Sequence, residues 1–353
     1  MTAATTIEWT DKTRNPVRGC SVISPGCVNC YAMKQAHRFS GPGQPYEGLT
    51  KQTKAGPQWT GIVRPVDDAL LEPLSWRKPQ RVFVNSMSDL FHDGVPETFI
   101  AMVFSVMASS HHTFQVLTKR PARMLSLLSR MRWRAAFGFV EFGGRRSVIS
   151  RLAFFDEHDG TWEALDNTGR KDYPLTNFIA PNVWLGVSVE DQQRADERIP
   201  LLLETPAAVR FISAEPLLGP VDLTCQWDHP AMTAIEKLDW VIVGGESGPG
   251  ARPFDLAWAR SIVEQCKAAG VPVFVKQLGA SAIDGKLSNV ELVLGGKGRP
   301  RPANQPLDEQ TATGIVGEFG GFDRRVNLRD RKGGDPAEWP EDLRVREFPE
   351  ARA

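Results

Sequence analysis

From Arg81 onward, short runs rich in β-branched and aromatic residues alternate with segments whose apolar positions recur every three or four residues. The runs are Val82 to Asn85, Phe114 to Leu117, Val183 to Ser188, Val209 to Ser213, Trp240 to Val243 and Val273 to Lys276. Ile100, Val103, Phe104 and Met107 share one helical stripe after the first run, as do Trp258, Ile262 and Cys266 after the fifth. This alternation predicts an α/β fold: a parallel sheet wrapped by helices, each burying one stripe. Asp191 to Arg198 reads as a polar helix, with Pro200 opening a second short one through Leu203. Between Trp133 and Pro181 the rhythm lapses, and residues 134–181 read as an insertion. Within it Ser147 to Phe155, Gly160 and Trp162 predict a β-hairpin turning at Glu157 to Gly160. Residues 1–323 then form one domain, and 324–353, charged and proline-containing, a tail laid over the surface or partly mobile. No internal repeat is visible.

Of the 353 residues, 41% are hydrophobic, ample for a buried core. Lys+Arg and Asp+Glu number 42 each, which leaves no global positive field for a polyanion but permits a local basic patch. The N-terminus lacks the basic start and apolar run of a signal peptide, and no stretch approaches the ~18 apolar residues of a membrane span. A cytoplasmic protein without a membrane partner is expected. Five cysteines, three of them within eleven residues, are unlike a disulfide framework and fit reduced thiols that bind a metal.

Ligands of parallel α/β sheets gather beyond the carboxyl ends of the strands. Here those ends are polar: Asn85, Ser86, Ser88 and Asp89; Lys119 and Arg120; Ser188, Glu190 and Asp191; Ser213 and Glu215; Gly244, Gly245, Glu246 and Ser247; Lys276 and Gln277. Singly, Ser88, Asp89 and Asp191 read as turn or cap residues. Lys119 and Lys276 either hold a carboxylate or phosphate or pair with neighbouring glutamates. The run Gly244 to Gly250 allows close backbone approach to a ligand without matching a phosphate-loop or dinucleotide fingerprint.

Cys20, Cys27 and Cys30 have the spacing C-x6-C-x2-C, with Pro25-Gly26 supplying the reversal between the first two. Two groups suit such a loop. Zinc takes four ligands, and His37 would complete a Cys3His set. A [4Fe–4S] cluster held by three cysteines keeps one iron open for substrate or cofactor. Cys225 and Cys266 read as packing residues, and a helix is expected to begin at Cys30.

Ile7 to Val17, Gly19-Cys20 and Ser24 to Ala32 resemble the opening of the phage Gp37/Gp68 family, a three-cysteine-motif group of the DUF5131 type placed near the radical S-adenosylmethionine enzymes. Phe83 to Phe91, Gln115 to Pro121, Val183 to Glu190, Glu215 to Asp222, Trp240 to Gly248 and Glu338 to Pro349 extend the resemblance along the chain. It implies a partial or complete (β/α) barrel of radical-S-adenosylmethionine type. Cys20, Cys27 and Cys30 would each bind one iron of a [4Fe–4S] cluster, with S-adenosylmethionine on the fourth iron. An electron donor would drive cleavage to methionine and a 5′-deoxyadenosyl radical. By position, Asn85 to Ser88 would face the methionine amino group, Ser188, Glu190, Ser213 and Glu215 its carboxylate or ribose, and Val243 to Glu246 the adenine.

The chain departs from the usual C-x3-C-x2-C spacing in its six-residue first gap. Asn29 stands where an aromatic residue normally precedes the last cysteine, and Tyr31 follows instead. A phage-type resemblance suggests a nucleic acid or nucleotide substrate by analogy. The basic run Arg120, Arg123, Arg130, Arg132 and Arg134 is either a phosphate-binding surface or a solvated helix face. Two other functions stay open: a zinc-stabilised binding protein without catalysis, and a metal-dependent hydrolase using Asp89, Glu190, Glu215 and Glu246.

Overall fold

The computed structural model describes residues 5–142, 145–155, 179–225, 233–286, 323–326 and 328–349. Seven strands form one sheet: β1 (Lys12–Arg14), β2 (Arg81–Val84), β3 (Thr113–Thr118), β4 (Val183–Ser188), β5 (Val209–Ala214), β6 (Trp240–Gly244) and β7 (Val273–Gln277). Their order across the sheet is their order along the chain, and every neighbouring pair is parallel. Parallel crossovers are almost always right-handed, so a chain that steps repeatedly in one direction keeps its connections on one face. Strand twist curls the sheet around the opposite face. The result is a curled half-barrel whose first and last strands are not paired to each other. β1, too short to stand out in the sequence, is the strand that reading from Arg81 misses.

The helices longer than one turn are α1 (Tyr31–His37), α2 (Glu97–Ala108), α3 (Pro121–Arg130), α4 (Gln192–Glu204) and α5 (Leu256–Ala269). Alternation along the strands separates two cores. Outward residues such as Val84, Val116, Leu185, Ile212, Val241 and Val275 share one cluster with Ile100, Phe104, Ile199, Leu202, Ile262 and Cys266 from the helices. Inward residues Phe83, Trp184, Phe211, Trp240 and Phe274 form the other, which Trp9 and Phe348 complete. Two to four residues further along, the inward positions become polar: Asn85, Ser188, Ser213 and Lys276. An aromatic floor thus lies beneath a polar mouth.

Three expected elements differ. α4 runs unbroken through Pro200, because Ala195, Ile199 and Leu202 on both sides of it are fully buried on one stripe and their packing outweighs the missing N–H. The hairpin comes earlier than expected, with strands Met131–Phe142 and Arg145–Phe155. Gly143-Gly144 stands between them in the sequence, a pair suited to a two-residue turn; Gly160 and Trp162 lie outside the described residues. The C-terminal segment is built into the core. Trp339 and Leu343 are buried, Val345 accepts the Val275 N–H at 2.9 Å, and the Glu347 N–H donates to Val273 at 3.0 Å. These contacts cover the open edge of β7, which would otherwise present unpaired backbone groups.

Gly186 on β4 shows how tightly the floor is filled, since a Cβ there would lie 2.5 Å from the fully buried ring of Phe211. Gly186→Ala is expected to cost about 1–3 kcal/mol by overpacking. Urea unfolding should show a lower midpoint at unchanged slope.

Candidate functional site

The cysteine loop crosses the carboxyl ends of the strands. It begins at Gly19, whose φ of 87° and approach to the Ile62 carbonyl, 2.2 Å from where a Cβ would sit, exclude any side chain. Cys27 ends the single turn Pro25–Cys27, its N–H donating to Ser24 at 2.9 Å. Cys30 is the N-cap of α1, as the sequence led one to expect. All three thiols are free, and Cys20 and Cys30, like Cys30 and Cys27, are close enough to interact electrostatically.

Three ion pairs hold this loop in place. At the end of β2, Asp89 pairs with Arg120 at 3.0 Å, and the same guanidinium donates to Ser21 at 2.6 Å. Beyond β4, the fully buried Glu190 pairs with Arg198 of α4 at 2.9 Å and accepts the Gly26 N–H at 3.2 Å. Beyond β6, Glu246 pairs with Arg252 at 2.7 Å and accepts from Asn29 at 2.9 Å, while Arg252 also donates to the Pro25 carbonyl at 3.0 Å. Asn29, notable in the sequence as a departure from an aromatic position, is therefore a docking residue.

The other strand-end residues divide into committed and uncommitted groups. Ser88 Oγ donates to the Val17 carbonyl, Ser86 accepts the Tyr31 hydroxyl at its carbonyl and bonds Asn15 through its own, and Glu215 pairs with Lys276. Ser188 and Ser213 lie buried on the inner face. Gly244 and Gly245 make room for protein groups: a Cβ would lie 2.9 Å from Glu215 Cγ and 2.5 Å from the Leu278 carbonyl. Their small size is accounted for without a ligand. Asn85 is different. It is buried in the left-handed region at φ 63°, its amide nitrogen donates to Ser88 at 2.7 Å, and its Oδ1 has no partner. Such an orphaned acceptor is uncommon in a folded protein. Lys119 Nζ likewise has no hydrogen bond or ion pair among the described residues, although its charge acts on Glu190 and Cys30.

Burial dominates the electrostatics. It pushes the Cys20 thiol up to about 12, with Asp89 adding to the rise and Arg120 opposing it. Cys30 is also raised by burial, against the nearby amides of Met33 and Ala32. Burial would raise Glu190 as well, but the charges of Lys119 and Arg198 prevail and hold it below the usual carboxylate range. For Glu246, burial is likewise overcome by Arg252 and Asn29.

His37 Nδ1 lies 3.0 and 3.3 Å from the Thr50 and Ser40 hydroxyls, and the ring forms no metal-holding group with the thiols among the described residues. Among the described residues no three His, Cys, Asp or Glu side chains are arranged to hold a metal ion. Cys20, Cys27 and Cys30 thus do not converge on one ion; the three cysteines of a [4Fe–4S] cluster bind three different irons, and without a fourth protein donor the fourth iron would stay open. All four carboxylates available to a hydrolase, Asp89, Glu190, Glu215 and Glu246, are paired with Arg or Lys. The basic run is internally braced: Arg120 by Asp89, Arg123 by the His92 and Val95 carbonyls, Arg130 by Glu97 and Arg132 by backbone carbonyls. The Arg134 side chain lies outside the described residues.

Residues 4–315 match a family described as a protein of unknown function, DUF5131. The chain belongs to that family. The match spans the half-barrel and the cysteine loop and stops short of the C-terminal segment from Glu338 to Pro349. No curated protein and no solved structure matches the chain. No helix among the described residues is long and apolar enough to cross a membrane.

Reading the sequence missed Ser21, Arg198 and Arg252 as the groups that fix the loop. Arg198 carried a faint signal, since it adjoins the buried stripe of α4 and follows Glu190 by eight residues. Because Glu190 and Glu246 are held below the usual range, the stability they contribute is full above the ordinary carboxylate pKa of about 4.3. It is lost as pH falls through their lower folded values. Glu190→Gln, which leaves the buried Arg198 without a countercharge, is expected to cost about 3 kcal/mol at neutral pH. Urea midpoints measured from about pH 7 to about pH 3 should show a shallower acid decline in this variant than in the parent.

Proposed function

We propose that this member of DUF5131 is an iron–sulfur enzyme of the radical S-adenosylmethionine type, with Cys20, Cys27 and Cys30 as the cluster ligands. The observation that carries the reading is the donor set: three thiols on a loop clamped over the carboxyl ends of a parallel half-barrel, with His37 beside the Thr50 hydroxyl and every candidate carboxylate already paired. When bound, a [4Fe–4S] cluster of this kind supplies an electron to the sulfonium of S-adenosylmethionine, and the protein orients the cofactor and excludes water.

The chain's own residues have definable tasks in this reading. The orphaned Asn85 Oδ1 would accept a hydrogen bond from the cofactor's amino group, which would end its unsatisfied burial. Lys119, uncommitted among the described residues, places a positive charge beside Cys30 and would offset the negative charge of a thiolate-bound cluster. Lys276, Glu215, Ser188 and Ser213 form the polar wall above the aromatic floor. Asp89, Glu190 and Glu246 hold the loop rather than the cofactor. An electron donor and a substrate complete the system.

The test is anaerobic reconstitution with iron and sulfide, followed by assay for 5′-deoxyadenosine after addition of a reductant and S-adenosylmethionine. A brown protein that forms this product, and a Cys27→Ala variant that does not, are the expected results. Tight stoichiometric zinc with no cleavage would refute the proposal in favour of a zinc-stabilised binding protein. Asn85→Gly keeps the left-handed backbone and removes the acceptor together with the amide that donates to Ser88. Its half-saturating concentration of S-adenosylmethionine should rise about 2- to 10-fold, the worth of one hydrogen bond.

A further inference from the structure

The neutral total conceals a local imbalance. From residue 15 to residue 66 the chain has six Lys/Arg and a single acidic residue, Glu47, a net charge of +5. This segment is one packed module. Ala32, Met33 and Ala36 of α1 lie against Trp59 of the hairpin Thr50–Thr53 and Gly56–Trp59, and Cys20, Cys30 and Tyr46 join the same cluster. The module therefore shares its core with the cysteine site.

Lys34, Arg38, Lys51, Lys54 and Arg64 are exposed, and Arg18 is half-buried over the ring of Tyr46 at 5.8 Å. None of the six has a carboxylate partner among the described residues. Two of their arrangements are unfavourable in isolation. Arg18 is paired directly across a two-stranded ladder from Arg64, and Lys34 and Arg38 stand four residues apart at the end of α1; like charges so placed repel. Cations held together against their own repulsion are stabilised by a polyanion. A small anion needs only two or three of them. On the same segment Tyr31 and Phe39 leave 52% and 45% of their surface exposed, and exposed aromatic rings on a basic module suit the stacking of unpaired bases.

We infer that the module from Arg18 to Arg64 binds a single strand of nucleic acid beside the mouth of the half-barrel. Taking that strand to be the substrate rests on the function proposed above; the binding itself does not. The internally braced arginines of α3 play no part. An acidic electron-donor protein is the competing occupant of a basic surface, but it would leave the two exposed aromatic rings without a role.

The test uses the full chain and fluorescein-labelled oligothymidine and oligouridine of about 20 nucleotides, followed by fluorescence anisotropy. Four to six phosphate contacts should weaken binding about 50- to 300-fold between about 50 and about 200 mM salt. Lys51→Glu/Lys54→Glu and Lys34→Glu/Arg38→Glu should each lower affinity at least about 10-fold and flatten that salt slope. Tyr31→Ala should weaken binding without changing the slope. The DNA and RNA arms tell which strand is preferred. No binding at low salt, or binding indifferent to both charge reversals, overturns the inference; so does an acidic flavodoxin that binds through these lysines while the oligonucleotides do not. Cys27→Ala should bind the strand like the parent. Strand binding without S-adenosylmethionine cleavage would therefore defeat the proposed chemistry and leave this surface standing, and the reverse result would defeat this surface alone.

Discussion

A carboxylate with no exposed surface stays charged only with a cation beside it, and the mouth of this half-barrel is organised around such a group. Glu190 leaves the end of β4 fully buried and meets Arg198 from the helix that follows, at 2.9 Å. Its other oxygen accepts the Gly26 N–H, so the neutralised carboxylate becomes a fixed support for the middle of the cysteine loop. Gly26 is small for that reason, since a Cβ would lie 3.1 Å from the carboxylate carbon. Asp89 with Arg120 and Glu246 with Arg252 repeat the device at either side, gripping Ser21 and Asn29. The loop is thus ordered by the protein before any metal is considered, which reduces the ordering cost that metal binding would otherwise carry.

The polar mouth depends in turn on an apolar floor. A half-barrel leaves its concave face open, and here both ends of the chain close it: Trp9 packs 4.6 Å from Phe83, and Phe348 lies 5.4 Å from Trp240, ring centre to ring centre. The same C-terminal segment pairs with the free edge of β7. Seven strands therefore suffice where a closed barrel would need more. A separate cavity of about 270 Å³, lined largely by apolar side chains such as Phe104, Leu128 and Trp133, lies against the outer face and belongs to the helix layer.

Much of this was legible in the sequence because strands buried on both faces are continuous apolar runs. Val183 to Ser188 is the clearest, and its predicted bounds match those observed. What local pattern could not show was set by distant contacts. Pro200 signals a break that the buried stripe of α4 overrides, and the charged C-terminal segment hides Trp339 and Leu343, whose burial depends on partners far away in sequence. At the site, the cysteines were plain from their spacing and the strand ends from their polarity. Which strand-end groups were free was not. Pairing distinguishes the committed Asp89, Glu190 and Glu246 from the orphaned Asn85, and Arg252 could not be matched to its partner by spacing alone. The basic character of residues 15–66 was also present in the sequence but cancelled in the total charge.

In the proposed site three thiols hold a cluster with one iron open to a small molecule. Mössbauer spectroscopy on protein reconstituted with isotopically enriched iron tests it most directly, because each iron reports its own ligands. On adding S-adenosylmethionine, the signal of a single iron in the cluster should change while the three cysteine-bound irons keep theirs. A spectrum that S-adenosylmethionine leaves unaltered, or a protein that retains zinc and assembles no cluster, would rule out an iron open to this cofactor.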